Sequence, residues 1–202
     1  MKEYKFPYWG PLLLKFEVED EFVKLLLEKG NESREKNLDH RTKLAGQIEN
    51  EYYYENYEDW FFSGITDYVD AFCMVAKERQ DDTFETPPKG WILKSLWVNY
   101  QQANEYNPPH NHRGHISFVI YLQVPEEIKK ENEQRKADHN NPGPGAINFN
   151  FGVQLPFSLR LFHHLPEVGD LFIFPSWLDH HVHAFKSNVE RISVSGNIEF
   201  QY

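Results

Sequence analysis

The stretch "RISVSGNIEF", residues 191–200, alternates polar and aliphatic side chains and thereby predicts a β-strand. Because successive side chains of a strand point to opposite faces of the sheet, Arg191, Ser193, Ser195 and Asn197 share one face. The aliphatic residues between them share the other face and need a core to pack against. The polar row lies either against water or along the wall of a polar cavity, and the pattern is compatible with both.

The same strand character continues along most of the chain. From residue 91 onward, short runs rich in Val, Ile, Phe and Tyr alternate with turn residues such as Pro-Gly-Pro-Gly. Several short strands at this spacing are typical of an antiparallel barrel or a jelly roll, so we expect a mainly β core over residues 90–202. Within it, the charged stretch 126–145 is poor in apolar residues, and we expect a mobile surface insertion with room for a short helix.

Residues 1–85 have a different character. A strand is expected at 11–18, followed by a helix that begins at the capping acid Asp20. A second helix is expected within 56–80, because its apolar residues recur with the 3.6-residue period of an α-helix. We expect this strand and the two helices to support the β core from the outside, so that residues 1–202 form one domain.

Composition and charge argue against several classes of function. The formal net charge of −10 disfavours nucleic-acid binding, since a phosphate backbone is bound by clustered Lys and Arg. No stretch approaches the roughly 18 apolar residues of a membrane helix, and the first residues lack the pattern of a signal peptide. The single cysteine, Cys73, excludes an internal disulfide framework and a zinc site built on thiolates. We therefore expect a cytoplasmic protein.

A first pair of histidines lies in "NPPHNHRGH", residues 107–115. His110 and His112 stand two positions apart and project together if the chain is extended there. Two adjacent imidazoles can bind one divalent metal ion. The alternative is a polar strand end whose histidines hydrogen-bond to loop carbonyls.

A second group of histidines follows in "DHHVHAF", residues 179–185. By strand alternation, His181 and His183 share one face and His180 takes the other. Only one of these two subsets can therefore serve a single metal ion.

Arg191 is a candidate anion-binding residue. It heads the polar row of the last predicted strand and follows the second histidine group closely. A guanidinium group is always charged and binds a carboxylate through two parallel hydrogen bonds. The alternative is a surface arginine on a solvated sheet face.

With these residues in place, the chain resembles the iron(II)/2-oxoglutarate-dependent oxygenase superfamily, and particularly the oxygenases common in marine phages and bacteria. The resemblance lies in "NPPHNHRGHISFVIYL" (107–122), "GDLFIFPSWLDHHVHAF" (169–185) and "ERISVSGNI" (190–198), and it covers roughly residues 90–200. It implies a double-stranded β-helix, which is a jelly roll, and an enzyme that uses Fe(II) and 2-oxoglutarate, with ascorbate as a candidate reductant. For a phage-encoded protein, the expected location is the host cytoplasm.

The resemblance also implies roles for individual residues. The superfamily binds iron through an H-x-D/E…H triad, and a downstream arginine binds the far carboxylate of 2-oxoglutarate. His110 matches the first histidine, His180 matches the distal histidine, and Arg191 lies at about the distance expected of the arginine. Tyr121 falls where related hydroxylases have a tyrosine that contacts the same carboxylate, and Ser193, on the face of Arg191, would add a hydrogen bond.

Position 112 departs from the superfamily pattern, which has an acid where this chain has His112. In one interpretation His112 is the third metal ligand and the site consists of three neutral imidazoles, which iron tolerates. In the other, the third ligand is missing or comes from elsewhere, from His115 or Asp179. We favour the first, because the two-residue spacing places His110 and His112 on one face.

The cosubstrate-binding role implied for Tyr121 depends on one further condition. Counted straight from His112 along a regular strand, Tyr121 would face the opposite side of the sheet. An irregularity at Arg113–Gly114 would bring both side chains into the same cavity.

Three functional hypotheses follow. The leading one is an Fe(II)- and 2-oxoglutarate-dependent dioxygenase that hydroxylates an unidentified substrate, either a small molecule or a protein side chain as in a prolyl hydroxylase. The second is a cupin-like dioxygenase with a three-histidine metal site and no 2-oxoglutarate, in which Arg191 binds the substrate. The third is a non-catalytic metal-binding jelly-roll domain. All three leave the oligomeric state open.

Overall fold

The computed structural model describes residues 9–79, 86–135 and 143–202, and the protein is mainly β within these ranges. Two short 3-10 helices occur at Arg41–Lys43 and Tyr57–Asp59. The α-helices are α1 (Asp20–Glu35), α2 (Phe62–Glu78) and α3 (Glu126–Glu133). The strands are β1 (Leu14–Glu17), β2 (Glu51–Tyr53), β3 (Gly90–Gln101), β4 (Asn107–His110), β5 (Ile116–Gln123), β6 (Ile147–Asn150), β7 (Leu161–His164), β8 (Asp170–Pro175), β9 (Asp179–Val182) and β10 (Arg191–Gln201).

The strands form two antiparallel sheets. The major sheet has six strands in the order β1-β8-β5-β10-β3-β2, and the minor sheet has four in the order β4-β9-β6-β7. Sequence neighbours are mostly not sheet neighbours, because the chain crosses repeatedly from one sheet to the other. This arrangement is a jelly roll, and the expected double-stranded β-helix is confirmed.

Strand alternation sorts the side chains of the major sheet into two layers. Ile192 and Val194 of β10 point toward the helices, where they join the large hydrophobic cluster that also contains buried residues of α1 and α2. The opposite face meets the minor sheet over a smaller apolar cluster. The helices therefore pack on the outside of the β core, as expected. The smaller cluster consists of Val119, Tyr121, Ile147, Phe149, Phe172, Phe174, Leu178 and Val182.

Most of the predicted elements are present, with local differences. The second helix begins only at Phe62, after a short 3-10 helix. The charged stretch 126–145 contains α3, and its Ile128 is fully buried. The mobility expected of this stretch stays a prediction, and residues 136–142 lie outside the described ranges. None of the described helices is long and apolar enough to cross a membrane.

Phe61 connects the helical layer to the major sheet. A substitution at this position tests whether the helices and the sheet unfold together. The Phe61 side chain is fully buried and stacks on Phe118 of β5, with 5.7 Å between ring centroids. We expect Phe61→Ala to lower the free energy of unfolding by about 3–5 kcal/mol, because it removes a buried aromatic ring and leaves a cavity. Met74→Ala, at an exposed position of α2, should change it by less than about 0.5 kcal/mol.

Urea denaturation followed by tryptophan fluorescence measures both variants. If residues 1–202 form one domain, as predicted, the protein should unfold in a single transition that shifts as a whole. Two transitions, of which Phe61→Ala shifts only one, would contradict it.

Candidate active site

Three imidazole rings meet at the edge of the minor sheet. His110 of β4 lies directly opposite His180 of β9 in the strand pairing, and their ring centroids are 4.3 Å apart. His112, just beyond β4, lies 4.9 Å from His110 and 5.0 Å from His180 between ring centroids. One ring nitrogen of each histidine lies within 4.8 Å of the other two. The geometry is that of a group able to hold one metal ion.

Backbone carbonyls orient two of these rings. His110 Nδ1 lies 2.7 Å from the carbonyl oxygen of Pro108, and His180 Nδ1 lies 2.9 Å from that of Leu178. Because a carbonyl oxygen can only accept, each Nδ1 carries the hydrogen and donates it. The Nε2 atoms are left with their lone pairs free, which is the arrangement of a metal-binding histidine.

Burial keeps the cluster neutral. Burial and, as the smaller cause, the neighbouring imidazoles lower the pKa of His112 to about 4 and that of His180 to about 3. Burial also lowers the pKa of His110, against the opposing effects of the Pro108 carbonyl and Asp179. Neutral imidazole is the form that binds a metal ion, so the three rings are ready ligands at neutral pH.

The two alternative ligands do not reach this cluster. The Nδ1 atom of His115 accepts a hydrogen bond of 3.0 Å from the backbone N–H of Phe200, and its ring packs against that residue. Asp179 is exposed, and its carboxylate accepts a hydrogen bond of 2.7 Å from Asn111 Nδ2. His181 and His183 lie on the other face of β9, together as expected, with 5.0 Å between their ring centroids.

The histidine cluster opens into a cavity of about 160 Å³ between the two sheets. This volume suits a small metabolite, since pockets for drug-sized ligands occupy about 300–1,000 Å³. Arg191, Ser193 and Ser195 of the polar row of β10 line its wall, whereas Asn197, the fourth residue of the row, lies outside it. Its lining includes Lys43, Glu51, Trp97, Asn99, Asn107, His110, His112, Phe174, His180 and Val182, with Tyr121, Arg191, Ser193 and Ser195.

Arg191 is a buried cation without a carboxylate partner in the described part of the chain. Its side chain is 2% exposed, and Nη1 donates a hydrogen bond of 2.7 Å to the Gly145 carbonyl. Its Nε atom and the buried hydroxyl of Tyr121 have no hydrogen-bond partner. Burial lowers the pKa of Arg191, and the nearby Tyr121 acts in the opposite direction. Burial raises the pKa of Tyr121 to about 12. A bound anion would satisfy this corner of the cavity.

The expected irregularity before β5 is present. Gly114 has a φ of +114°, a conformation that L side chains rarely adopt, and regular strand geometry resumes only at Ile116. The alternation therefore restarts, and both His112 and Tyr121 face the cavity. Ser193 also lines it, and its hydroxyl accepts a hydrogen bond of 3.4 Å from Asn99 Nδ2.

Several cavity residues were not predicted from the sequence. Glu51 comes from β2, a three-residue strand within a charged and aromatic stretch that shows no clear alternation. Asn99 lies on a predicted strand, but nothing in its local sequence distinguishes it from a surface residue. Asn107 lies within the quoted histidine motif, three positions before His110, and that proximity was the one available signal.

Fold and cavity together define the class of this protein, a jelly roll with a candidate metal centre between its sheets. Residues 95–197, half of the chain, match the family described as "Putative 2OG-Fe(II) oxygenase". The chain belongs to this family of 2-oxoglutarate-dependent iron oxygenases, whose cofactors are Fe(II) and 2-oxoglutarate. A search of curated protein sequences gives no match.

Solved structures show the same fold. A Pseudomonas putida prolyl-4-hydroxylase has a TM-score of 0.59 at 12% identity, covering 94% of this chain and 91% of that one. A viral collagen prolyl hydroxylase from Paramecium Bursaria Chlorella virus-1, in complex with 2-oxoglutarate, has a TM-score of 0.58 at 14% identity, covering 96% and 98%. A Trichoplax adhaerens prolyl hydroxylase, in complex with a hypoxia inducible factor peptide fragment, has a TM-score of 0.52 at 9% identity, covering 93% and 82%.

The histidine cluster makes the stability of the metal-free protein depend on pH. Between the lowered folded-state pKa values of His112 and His180 and the ordinary value of 6.5, the unfolded chain binds protons that the folded protein excludes. The free energy of unfolding should therefore fall as the pH falls below about 6.5. We expect a loss of about 1–2 kcal/mol per histidine between pH 7 and pH 5.

Urea denaturation at the two pH values, with a chelator present, measures this loss. Replacing both His112 and His180 with Gln should reduce it, whereas His163→Gln, at an exposed position, should not. Equal losses in all three proteins would show that the cluster is not the source.

Proposed function

We propose that this protein is an Fe(II)- and 2-oxoglutarate-dependent dioxygenase that hydroxylates a C–H bond of its substrate, with His110, His112 and His180 as the iron ligands. The observation that carries the proposal is that three neutral imidazoles and a buried, unpaired arginine line one small cavity. Fe(II) and 2-oxoglutarate, when bound, would supply the use of O2: one oxygen atom would go into succinate as the keto acid loses carbon dioxide, and the other would become the hydroxyl group of the product.

The donor set fits iron, with one difference from the superfamily pattern. Imidazole is a good ligand for Fe(II), and three ligands from one side leave room for other ligands on the opposite side. Because His112 stands where the pattern has an acid, the site carries one more positive charge than the usual triad. We therefore expect weaker metal binding than in an otherwise identical site with a carboxylate ligand.

Residues of the major sheet would hold the cosubstrate. Arg191 would bind the far carboxylate of 2-oxoglutarate, which supplies the counter-charge that this buried guanidinium lacks. The Tyr121 hydroxyl would donate a hydrogen bond to the same carboxylate, and Ser193 would add another. The aromatic wall beside His180, with Phe149 and Phe174 packed on its ring, would exclude water from the reacting atoms.

A protein side chain is the substrate class that the structural relatives support. The three solved structures compared above are named as prolyl hydroxylases, and one of them is bound to a peptide fragment. Prolyl-hydroxylase-like action on a protein is therefore our proposal for the reaction. The family match favours a 2-oxoglutarate-dependent iron oxygenase over a three-histidine dioxygenase without 2-oxoglutarate and over a non-catalytic domain, and it leaves the substrate open.

Arg191 tests the use of 2-oxoglutarate. Arg191→Gln should raise the KM for 2-oxoglutarate by about 10–100-fold, because hydrogen bonds to a charged group contribute about 1.5–3 kcal/mol. Succinate formation in air measures the KM, and Arg160→Gln, at an exposed position, is the control with the same loss of charge. No succinate from the wild-type protein, and no visible charge-transfer band with Fe(II) and 2-oxoglutarate under anaerobic conditions, would refute the proposal.

Two histidine variants test the metal ligands. Loss of a residue that only supports a metal ligand typically weakens metal binding by about 10–100-fold. His180→Ala removes a ligand itself and should weaken Fe(II) binding by more than that. His112→Asp should strengthen it, since the added carboxylate reduces the positive charge of the site. Anaerobic titration calorimetry measures both, with His115→Ala as a control that should leave the affinity unchanged. Unchanged binding in His180→Ala would show that the metal lies elsewhere.

A further inference from the structure

Glu51 is a buried carboxyl group in the active-site cavity that the reaction proposed above does not use. It lies on β2 at the edge of the major sheet, is 1% exposed, and lines the same cavity as the histidines. Its Oε2 atom has no hydrogen-bond partner. Burying a carboxyl group without a partner is costly, so a position like this one is typical of a group that pairs with a ligand.

The loop before β2 is shaped around this carboxyl group. A Cβ atom on Gly46 would stand only 2.7 Å from Glu51 Oε1 and 2.7 Å from Asn107 Oδ1, so both oxygens approach the backbone closely where a side chain would block them. Two oxygen acceptors from different sheets thus lie near one another at this end of the cavity. Such a pair suits a ligand that donates hydrogen bonds.

The surrounding charges favour a cation at this end. Burial, together with the negative charges of Glu105 and Asp39 and against the opposing effect of Arg41, raises the pKa of Glu51 to about 8. Arg41 is already engaged, since it pairs with Asp39 and with Glu49. Among the described residues, Glu51 itself forms no ion pair. Lys43 also lines this cavity, on the loop before β2. With a pKa of about 8, Glu51 is largely protonated near neutral pH in the ligand-free protein, and a cationic ligand would pair with its carboxylate form and release that proton.

Glu51 lies at the opposite end of a row of strand positions from Tyr121, a candidate ligand of the anionic cosubstrate. Glu51, Asn99, Ser193 and Tyr121 form one row across β2, β3, β10 and β5 in the strand register. Adjacent strands lie about 4.8 Å apart, so the two ends of this row are about 14 Å apart along the sheet. The four carbon–carbon bonds of 2-oxoglutarate, about 1.5 Å each, span at most about 6 Å. A molecule held by Arg191 and Tyr121 therefore leaves the Glu51 end free.

We propose that Glu51 determines substrate specificity by binding a cationic nitrogen, an ammonium or guanidinium group, of the substrate to be hydroxylated. This inference rests on the Fe(II)- and 2-oxoglutarate-dependent dioxygenase activity proposed above. It replaces the prolyl residue as the target by a basic side chain or an amine. The cavity then has two ends of opposite preference. The Arg191 end selects the anionic cosubstrate and the Glu51 end selects the cationic substrate, so the two molecules do not compete for one position.

Paired probes test this inference. Nα-acetyl-lysine amide and Nα-acetyl-arginine amide carry the cation, and Nα-acetyl-norleucine amide and Nα-acetyl-citrulline amide are their neutral counterparts. Binding of each to the protein loaded with Mn(II) and 2-oxoglutarate is measured by anaerobic titration calorimetry, without turnover. We expect at least one cationic probe to bind about tenfold or more tightly than its neutral counterpart.

Two matched variants locate the origin of this preference. Glu51→Gln keeps the shape of the side chain and should reduce the preference to within about twofold. Glu49→Gln removes the same charge from the same loop at an 81% exposed side chain, and it should leave the preference intact. A preference that survives Glu51→Gln, or no preference in the wild-type protein, would overturn the inference.

The outcomes separate this inference from the function on which it rests. If the wild-type protein binds no Mn(II) or Fe(II) with 2-oxoglutarate, the proposed function itself fails. If it binds both but treats the paired probes alike, only the role of Glu51 fails. If Glu51→Gln weakens metal binding and leaves the probe preference unchanged, Glu51 serves the metal centre instead, which also overturns the inference.

Discussion

The fold depends on burying both faces of β10. This strand is paired with β3 along one side and with β5 along the other. Its aliphatic face packs under the helices, while Arg191 and Ser193 are buried on the opposite face. Burying a polar group without a hydrogen-bond partner costs free energy. The minor sheet, which covers this face, therefore encloses a polar cavity beside Arg191 and Ser193. Core and active-site wall are thus two sides of the same strand.

The sequence predicts those parts that follow from strand periodicity and chemistry. Alternation in residues 191–200 predicts the strand and its polar row, and the two-residue spacing predicts that His110 and His112 share a face. The position of His180 beside them depends on the pairing of β4 with β9, two four-residue strands with little pattern of their own. Glu51 was missed for the same reason, because β2 has only three residues and is defined by its pairing with distant segments, chiefly β3. Long-range pairing of short segments leaves no local signal.

The cavity contains unusually separated charges. The candidate metal-binding group of three histidines is neutral, since burial lowers the pKa of all three imidazoles. The one buried cation, Arg191, and the buried carboxyl of Glu51 stand apart on the major sheet, and neither has an ionic partner among the described residues. A site of this kind is satisfied only when several ligands are present together. We expect that the selectivity for ligands arises from these unpaired buried groups as much as from the shape of the cavity.

The division of residues between the sheets has a mechanical consequence. All three histidines belong to β4, β9 and the segment following β4, which form an edge of the minor sheet, whereas Arg191, Ser193 and Tyr121 belong to the central strands of the major sheet. A ligand that contacts both groups spans the interface between the layers. Its binding free energy therefore adds to the free energy that holds the two sheets together, and separation of the sheets requires its release. Ligand binding is therefore expected to stabilise the packing of the two sheets against each other.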